Sequence, residues 1–370
     1  MPALRRTIRQ VDYPAILAET WAQHLAPREA DAPTVISTFA GCGGSSLGYS
    51  MAGYRELLAV EWDDNAVATF RLNFPDVPVY HGDIAKLSVA QVLEMTGLQP
   101  GQLDVFDGSP PCQGFSTAGK RDMNDGRNQL FREFVRLLRG LQPKVFVMEN
   151  VSGMVKGKMK LVFVEILKEL KASGYKVSAR LLNAMYFNVP QSRERMIFIG
   201  VRDDLGIEPS HPGAECRGII VRDALDGCAQ DSERNLSEGM RAAAALMTAG
   251  NYSGSNAERA FRSARGKTSG AINTKLLSWD RVSCTLPKSV IAETGIIHPG
   301  RVRYLSISEA KRIGSFPDKY HFEGDYKDAW ARIGNSVPPL FMRSIARHIR
   351  RELLRDATGH EPTLIEKFSS

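Results

Sequence analysis

Three short stretches of this chain carry side chains capable of covalent or acid–base work. The first, Asp107 to Ser116, reads DGSPPCQGFS: an apolar run, Leu103 to Phe106, stops at a Gly-Ser-Pro-Pro turn, and the next side chain is Cys112. Two consecutive prolines make a stiff, extended corner, because each ring locks φ and keeps the preceding residue out of the helical region. A corner at the end of a strand holds the next side chain over the sheet edge, where open α/β sheets keep their ligands. A cysteine held there can be activated by nearby cations or helix N-termini, since the thiolate is the nucleophile. The second stretch, KVFVMENVSG, is a Val/Phe run (Val145 to Met148) that delivers Glu149 and Asn150 at its end, where a carboxyl group can hold or pass a proton. The third is NVPQSRERMIFIGV, Asn188 to Val201. Gln191, Arg193 and Arg195 alternate within it, which predicts an extended strand with all three on one face and two guanidiniums available to stabilise anionic charge. Each stretch alone is weak: a cysteine can simply follow a turn, a strand-end Glu can be a helix cap, and RxR is often surface salt-bridging.

These residues need a sheet beneath them. Thr34 to Phe39 is a short β-branched run ending at GCGGSSLG (Gly41 to Gly48), and strand, glycine turn and helix is the opening of a nucleotide-binding α/β unit. The spacing is not GxGxxG. The glycines permit close backbone approach, and the helix N-terminus behind them can face an anionic group such as a carboxylate. A second strand, Leu57 to Val60, ends in Glu61, where such folds place an acid for ribose hydroxyls, and Trp62 beside it offers an aromatic face to a purine. Apolar spacing predicts helices over residues 11–28, 128–140 and 159–172, with a strand near 176–182. Between Cys112 and the second of these helices runs GKRDMNDGR (119–127), a polar, glycine-bounded candidate lid in which Lys120 and Arg127 are candidates for phosphate contacts. From Val201 to about residue 300 periodicity is poor and NYSGSN, ARGKTSG and HPG punctuate the chain, predicting a loop-rich second region.

With 370 residues and 43% hydrophobic content, the chain can build one large core and a smaller second domain. No apolar run approaches the roughly eighteen residues of a membrane span, and MPALRRTIRQ lacks the apolar core and cleavage site of a secretory signal. Five cysteines (Cys42, Cys112, Cys216, Cys228, Cys284) stand without a CxxC pair and the histidines without HxxxH, which fits a reducing compartment and no metal site. The net charge is +7, and residues 234–303 hold eleven Lys or Arg against four acids, an excess as large as the whole chain's. A concentrated positive region suits a polyanion such as nucleic acid.

In order, DGSPPCQGFS, ENV and QSRER resemble the motifs of the DNA (cytosine-5)-methyltransferases, and FAGCGGSSLGY resembles that family's first motif. RVRYLSISEAKRIGSFPDKY (301–320) resembles the motif that organises the family's variable domain, and IGNSVPPLFMRSIARHI (333–349) its last one, so the resemblance spans residues 34–349. It implies an α/β fold: a Rossmann-like S-adenosylmethionine-dependent methyltransferase sheet with a smaller, loop-rich target-recognition domain. The implied divisions are an N-terminal helical extension (1–32), a catalytic and cofactor-binding domain (33–203), a target-recognition domain (204–331) and a C-terminal segment returning to the catalytic domain (332–370). S-adenosyl-L-methionine, released as S-adenosyl-L-homocysteine, would be held by Phe39, Gly41, Gly43, Gly44, Glu61, Trp62, Asp83, Ile84, Pro111, Asn335 and Val337. Catalysis would fall to Cys112, to Glu149 at ring nitrogen 3 of a flipped cytosine, and to Gln191, Arg193 and Arg195. DNA contacts would fall to Gln113, Ser116, Lys120, Arg127 and Thr285, the last from a Thr-Leu pair resembling the family's.

The implied reaction is methyl transfer to carbon 5 of cytosine in a specific duplex sequence, through base flipping and a covalent Cys112 adduct, without a metal. Double-stranded DNA is the expected partner, with a restriction endonuclease acting on the same site as a second, the enzyme a monomer on DNA. The expected setting is the cytoplasm of a prokaryotic host, at the nucleoid. One departure stands out: the family usually carries an acid two positions before the Phe of its first motif, and this chain has Ser37. An RNA enzyme of the tRNA-methylating branch and a non-catalytic DNA-binding relative are the alternatives. The long basic segment argues against the first, and Cys112, Glu149 and Arg195 together argue against the second. A small-molecule methyltransferase would have no use for a large basic region.

Overall fold

The computed structural model describes residues 11–111, 129–155, 159–231, 234–268, 270, 273–289 and 295–354. Cys112, Gln113, Ser116, Lys120 and Arg127 lie outside the described residues. In chain order the elements are α1 (Tyr13–Leu25), β1 (Thr34–Thr38), α2 (Gly44–Met51), β2 (Arg55–Glu61), α3 (Asp64–Asn73), β3 (Val79–His81), α4 (Val89–Thr96), β4 (Val105–Gly108), α5 (Gln129–Leu141), β5 (Val145–Val151), α6 (Met159–Lys171), β6 (Tyr175–Asn183) and β7 (Glu194–Arg202). There follow α7 (Val221–Ala224), α8 (Glu238–Leu246), α9 (Gly254–Arg265), β8 (Lys275–Leu276), β9 (Ile296–Ile297), α10 (Ile307–Ile313), α11 (Tyr326–Asn335) and α12 (Pro339–His348).

The first seven strands form one sheet in the order β3-β2-β1-β4-β5-β7-β6. All neighbours pair in parallel except β7, which runs antiparallel to both β5 and β6. Strands β1 and β4 are buried along their whole length, as a parallel sheet covered on both faces requires. One covering layer gathers Tyr13, Leu47, Tyr49, Phe70 and Ile345, from α1, α2, α3 and α12. The other gathers Phe106, Phe134, Leu138, Phe146 and Ile166 around α5 and α6. Strand order turns back at β1, whose neighbours β2 and β4 leave it on opposite sides, so a crevice opens at the carboxyl ends there. The expected α/β sheet is what forms.

Two expectations change. The strand expected to carry Gln191 begins only at Glu194, and Gln191 instead makes an isolated bridge to Ser283. The region after Val201 is less loop-rich than its punctuation suggests, because α8 and α9 pack on each other around Met240, Ala243, Ala244, Ala257 and Phe261. Alanine is the best helix former yet reads as weakly apolar on every face, so EGMRAAAAL hides its period.

Candidate active site

After β1 the chain turns sharply, with Phe39, Gly41 and Gly43 all at positive φ (54°, 57° and 91°). Gly43 is the left-handed N-cap of α2. Space, as well as backbone conformation, demands glycine next to it. A Cβ on Gly44 would lie 1.9 Å from Ser336 Oγ and 2.4 Å from the Val337 carbonyl oxygen, while a Cβ on Gly41 would meet nothing within 4 Å. The loop is therefore closed on one side by residues 336–337 and open on the other. Glu61, at the end of β2, pins it: one carboxylate oxygen accepts from Gly41 N at 2.8 Å, and the other from Trp62 N and Asp63 N at 2.8 and 3.0 Å. Trp62 stands 76% exposed beside it. Beyond β3, Asp83 is exposed and caps the turn of Ile84 by accepting from Ala85 N at 3.0 Å, with Ile84 buried. Asn335 is exposed and Val337 is buried at the start of the segment that closes the loop. A carboxylate, a bare indole face and a glycine turn with open space above it fit a nucleoside bearing an anionic tail.

Across the crevice, β4 leads into the Pro110-Pro111 corner. Ser109 Oγ donates to the Phe39 carbonyl at 3.5 Å, tying the corner to the glycine turn. The Asn150 side-chain amide donates to the Pro110 carbonyl at 3.1 Å. In the sequence Asn150 stands only as Glu149's neighbour, and an amide at the end of an apolar run is its one signal. Pro111 is exposed, the last described residue before Cys112.

Glu149 leaves β5 opposite Ile197, and Arg195 lies opposite Val151, so the two side chains are diagonal neighbours on one face of the β5/β7 pair. They form an ion pair of 2.6 Å, with only 12% and 15% of the side chains exposed. Gln191 and Arg193 do not join them on that face. Gln191 is buried, donating to the Ile313 carbonyl at 3.3 Å and accepting from Leu286 N at 3.0 Å. Arg193 is buried too, donating to the carbonyls of Leu286 (3.2 Å) and Gly334 (2.9 Å). Burial, reinforced by the neighbouring Arg195, lowers its pKa to about 9. Because the strand starts late, the alternation does not set all three side chains on one face; two reach into the seam with the second region. Thr285 sits on that seam, its hydroxyl donating to the Ser192 carbonyl at 2.6 Å.

Beneath the glycine turn lies a polar cluster that the sequence did not announce. Asp107 is buried, accepts from the Tyr49 hydroxyl at 3.2 Å, and has its pKa raised by burial and by the Glu56 and Glu149 carboxylates. Glu56 accepts from Ser46 Oγ at 2.8 Å, and burial pushes its pKa up to about 7 against the pull of Ser37 and Ser46. Where β1 carries Ser37 in place of an acid, β2 thus supplies a carboxyl group beside it, at the register slip between Val35 and Ile36. A carboxyl whose folded-state pKa is raised stabilises the fold fully below its unfolded pKa, and that stability is lost as pH rises through about 7. Glu56→Gln is accordingly expected to flatten the fall in stability between pH 5 and about 8, raising it at pH 8 by about 3 kcal/mol. Thermal melts of the two proteins across that range check this; parallel curves would remove Glu56 as the source.

The basic segment divides on folding. Arg303 is buried against Glu309 in a two-pronged pair (2.7 and 2.8 Å), Arg301 caps the end of α8 through the Ala244 and Met247 carbonyls, and Arg234 lies over the rings of Tyr304 and Tyr326. These serve the second region's own fold. Arg241, Arg259, Arg262, Lys267, Arg281 and Lys288 remain on its exposed surface. Among the described residues no group of His, Cys, Asp and Glu is placed to hold a metal ion, and no helix is long and apolar enough to cross a membrane.

Residues 33–351 match the family described as C-5 cytosine-specific DNA methylase. The chain is 35% identical over 331 residues to the Type II methyltransferase M1.HphI of Haemophilus parahaemolyticus, covering 85% of this chain and 86% of the relative. It is 33% identical over 369 residues to M.DdeI of Desulfomicrobium norvegicum, covering 85% and 88%. Among solved structures it is similar to a prophage-encoded DNA modification methyltransferase of E. coli (TM-score 0.69, 24% identity, 87% of this chain and 100% of that one). It is also similar to Spodoptera frugiperda DNMT2 (TM-score 0.62, 18% identity, 86% and 99%).

Proposed function

From the premise that this chain belongs to the C-5 cytosine-specific DNA methylases and is a DNA (cytosine-5-)-methyltransferase of the Type II restriction-modification kind, we propose how its residues divide the work. The observation that carries the reading is the largely shielded Glu149–Arg195 pair, whose Glu149 lies on the same strand as the Asn150 that holds the Pro-Pro corner. S-adenosylmethionine, which supplies an electrophilic methyl group when bound, would be held by Phe39, Gly41, Gly43, Gly44, Glu61, Trp62, Asp83, Ile84, Pro111, Asn335 and Val337. Cytosine carbon 5 is a poor nucleophile. The Cys112 thiolate adds to carbon 6 and pushes electron density onto carbon 5, which can then take the methyl group that bound S-adenosylmethionine would supply. The carbon 5 proton passes to solvent, and the electron pair it leaves expels the Cys112 thiolate, so one hard step becomes several easier ones. Glu149 holds the proton at ring nitrogen 3, and Arg195 fixes the Glu149 carboxyl and anchors the base. Gln191 and Arg193 act through position, tying the backbone of residues 286, 313 and 334 to the start of β7.

A paired base cannot present carbon 6 to a side chain, so the target must be extruded from duplex DNA at a cost of roughly a few kcal/mol. Gln113, Ser116, Lys120, Arg127, Thr285 and the exposed cations of residues 204–331 offset that cost through backbone and groove contacts. In this reading residues 33–203 with 332–370 form the catalytic half, the enzyme acts as a monomer on DNA, and a restriction endonuclease reads the same site. Duplex DNA carrying 5-fluorocytosine tests it, because carbon 5 cannot then lose a proton and the adduct persists. A denaturation-resistant protein–DNA complex, dependent on S-adenosylmethionine, is expected on duplex DNA and not on tRNA. Trapping on tRNA alone would favour the RNA-modifying alternative, and trapping on neither would remove the covalent mechanism.

A further inference from the structure

Helix α1 lies ahead of the family match, which begins at residue 33, yet it is built into the molecule at both ends. Its start is fixed to the second region: Tyr13 is fully buried with its hydroxyl donating to the Arg312 carbonyl at 3.1 Å, and Val11 N reaches Asp223 at 3.4 Å. Its far end is knotted to the cofactor half, where the His24 ring bonds Ser50 Oγ at 2.7 Å and Arg28 donates to the Tyr54 carbonyl at 3.0 Å. Between these anchors the helix presents two rings. Trp21 meets Tyr320 edge-on at 6.4 Å, and His24 meets Phe74 edge-on at 5.2 Å. Those two partners form the wall behind the glycine turn. The Tyr320 hydroxyl donates to the Cys42 carbonyl, and a Cβ on Gly43 would lie 2.6 Å from Phe74 and 2.9 Å from the Tyr320 hydroxyl. The rings leave no slack, so whatever sets them sets the loop.

We propose that α1 is a positioning element of the cofactor site, with Trp21 and His24 holding Tyr320 and Phe74 against Cys42 and Gly43 so that the glycine turn keeps its binding conformation. The inference rests on the reading that S-adenosylmethionine binds at that turn. His24 acts there as a neutral ring, since burial and the nearby Arg28 lower its pKa to about 4. Neither side chain touches the space above Gly41, so the effect passes through the wall.

The test is calorimetric titration of the full chain with S-adenosylhomocysteine, beside gel-shift titration with duplex DNA, for wild type, Trp21→Ala, His24→Ala and Trp21→Phe. Loss of one edge-on ring contact is expected to weaken cofactor binding about tenfold in each alanine variant, while DNA affinity stays within about twofold and Trp21→Phe recovers most of the loss. The titration is run well below each variant's melting temperature, so global unfolding does not enter. Alanine variants that melt earlier but bind the cofactor as tightly as wild type would overturn the proposal, leaving α1 as packing alone. If Trp21→Ala does not fold, His24→Ala and Trp21→Phe carry the same comparison. A wild type that binds no S-adenosylhomocysteine would instead remove the assignment of the site.

Discussion

Cys112→Ser is expected to bind duplex DNA as the wild type does and to transfer methyl groups at least about a thousandfold more slowly, a barrier increase of about 4 kcal/mol. The hydroxyl fits where the thiol fits, so recognition and base extrusion are untouched. What is lost is the nucleophile: a serine hydroxyl is not ionised near neutral pH. Transfer of a labelled methyl group, read beside a gel-shift titration, separates the two quantities. Wild-type turnover by this variant would end the covalent account, because the rest of the machinery would then be methylating without an attack on carbon 6.

Arg195→Met is expected to carry the largest stability cost of any single change at the site. It leaves the Glu149 carboxylate, only 12% exposed, without its cation at 2.6 Å, and breaking such a pair costs about 3–5 kcal/mol. Placing Glu149→Gln in the same chain removes the uncompensated charge, so the double variant is expected to regain most of the lost denaturant midpoint while remaining inactive. Stability and chemistry part company in that one comparison. A single variant as stable as wild type would show that the pair is dispensable to the fold. A double variant with normal turnover would take both residues out of the mechanism.

The parts of this fold legible in the sequence are those where composition and geometry agree. Buried parallel strands read as continuous β-branched and aromatic runs, so β1, β4 and β5 announced themselves, and each ended in residues that the sheet does deliver to one edge: the glycine turn, the Pro-Pro corner, Glu149. Helix α1 was legible from its apolar spacing, but its partners were not, since Tyr320 and Phe74 reach it only through the tertiary fold. The alternation of Gln191, Arg193 and Arg195 misled for a definite reason. Alternation fixes a face only inside a strand, and β7 starts at Glu194, so the first two side chains turn into a seam made by residues 286, 313 and 334. Charge misled in a similar way, because counting cannot distinguish Arg303, locked on Glu309, from Arg262 on the exposed side of α9. The Glu56–Asp107 cluster was hidden because Glu56, near the start of RELLAVE, looks like the solvent-facing half of a strand until the register slip turns it inward.

Cys42 and Ser336 touch although they stand 294 positions apart, and Gly48 is equally hemmed by Pro339 and Met342. A ribosome therefore releases all seven strands of the sheet well before it has made the segment that shuts the turn after β1. A partly synthesised chain can hold a formed sheet with one flank of α2 bare, and it becomes competent only once that late segment folds back, so long-range closure should slow maturation relative to the sheet itself. Cutting the chain in the loop after β7 would leave two fragments, neither sufficient alone and both needed to close the glycine turn after β1.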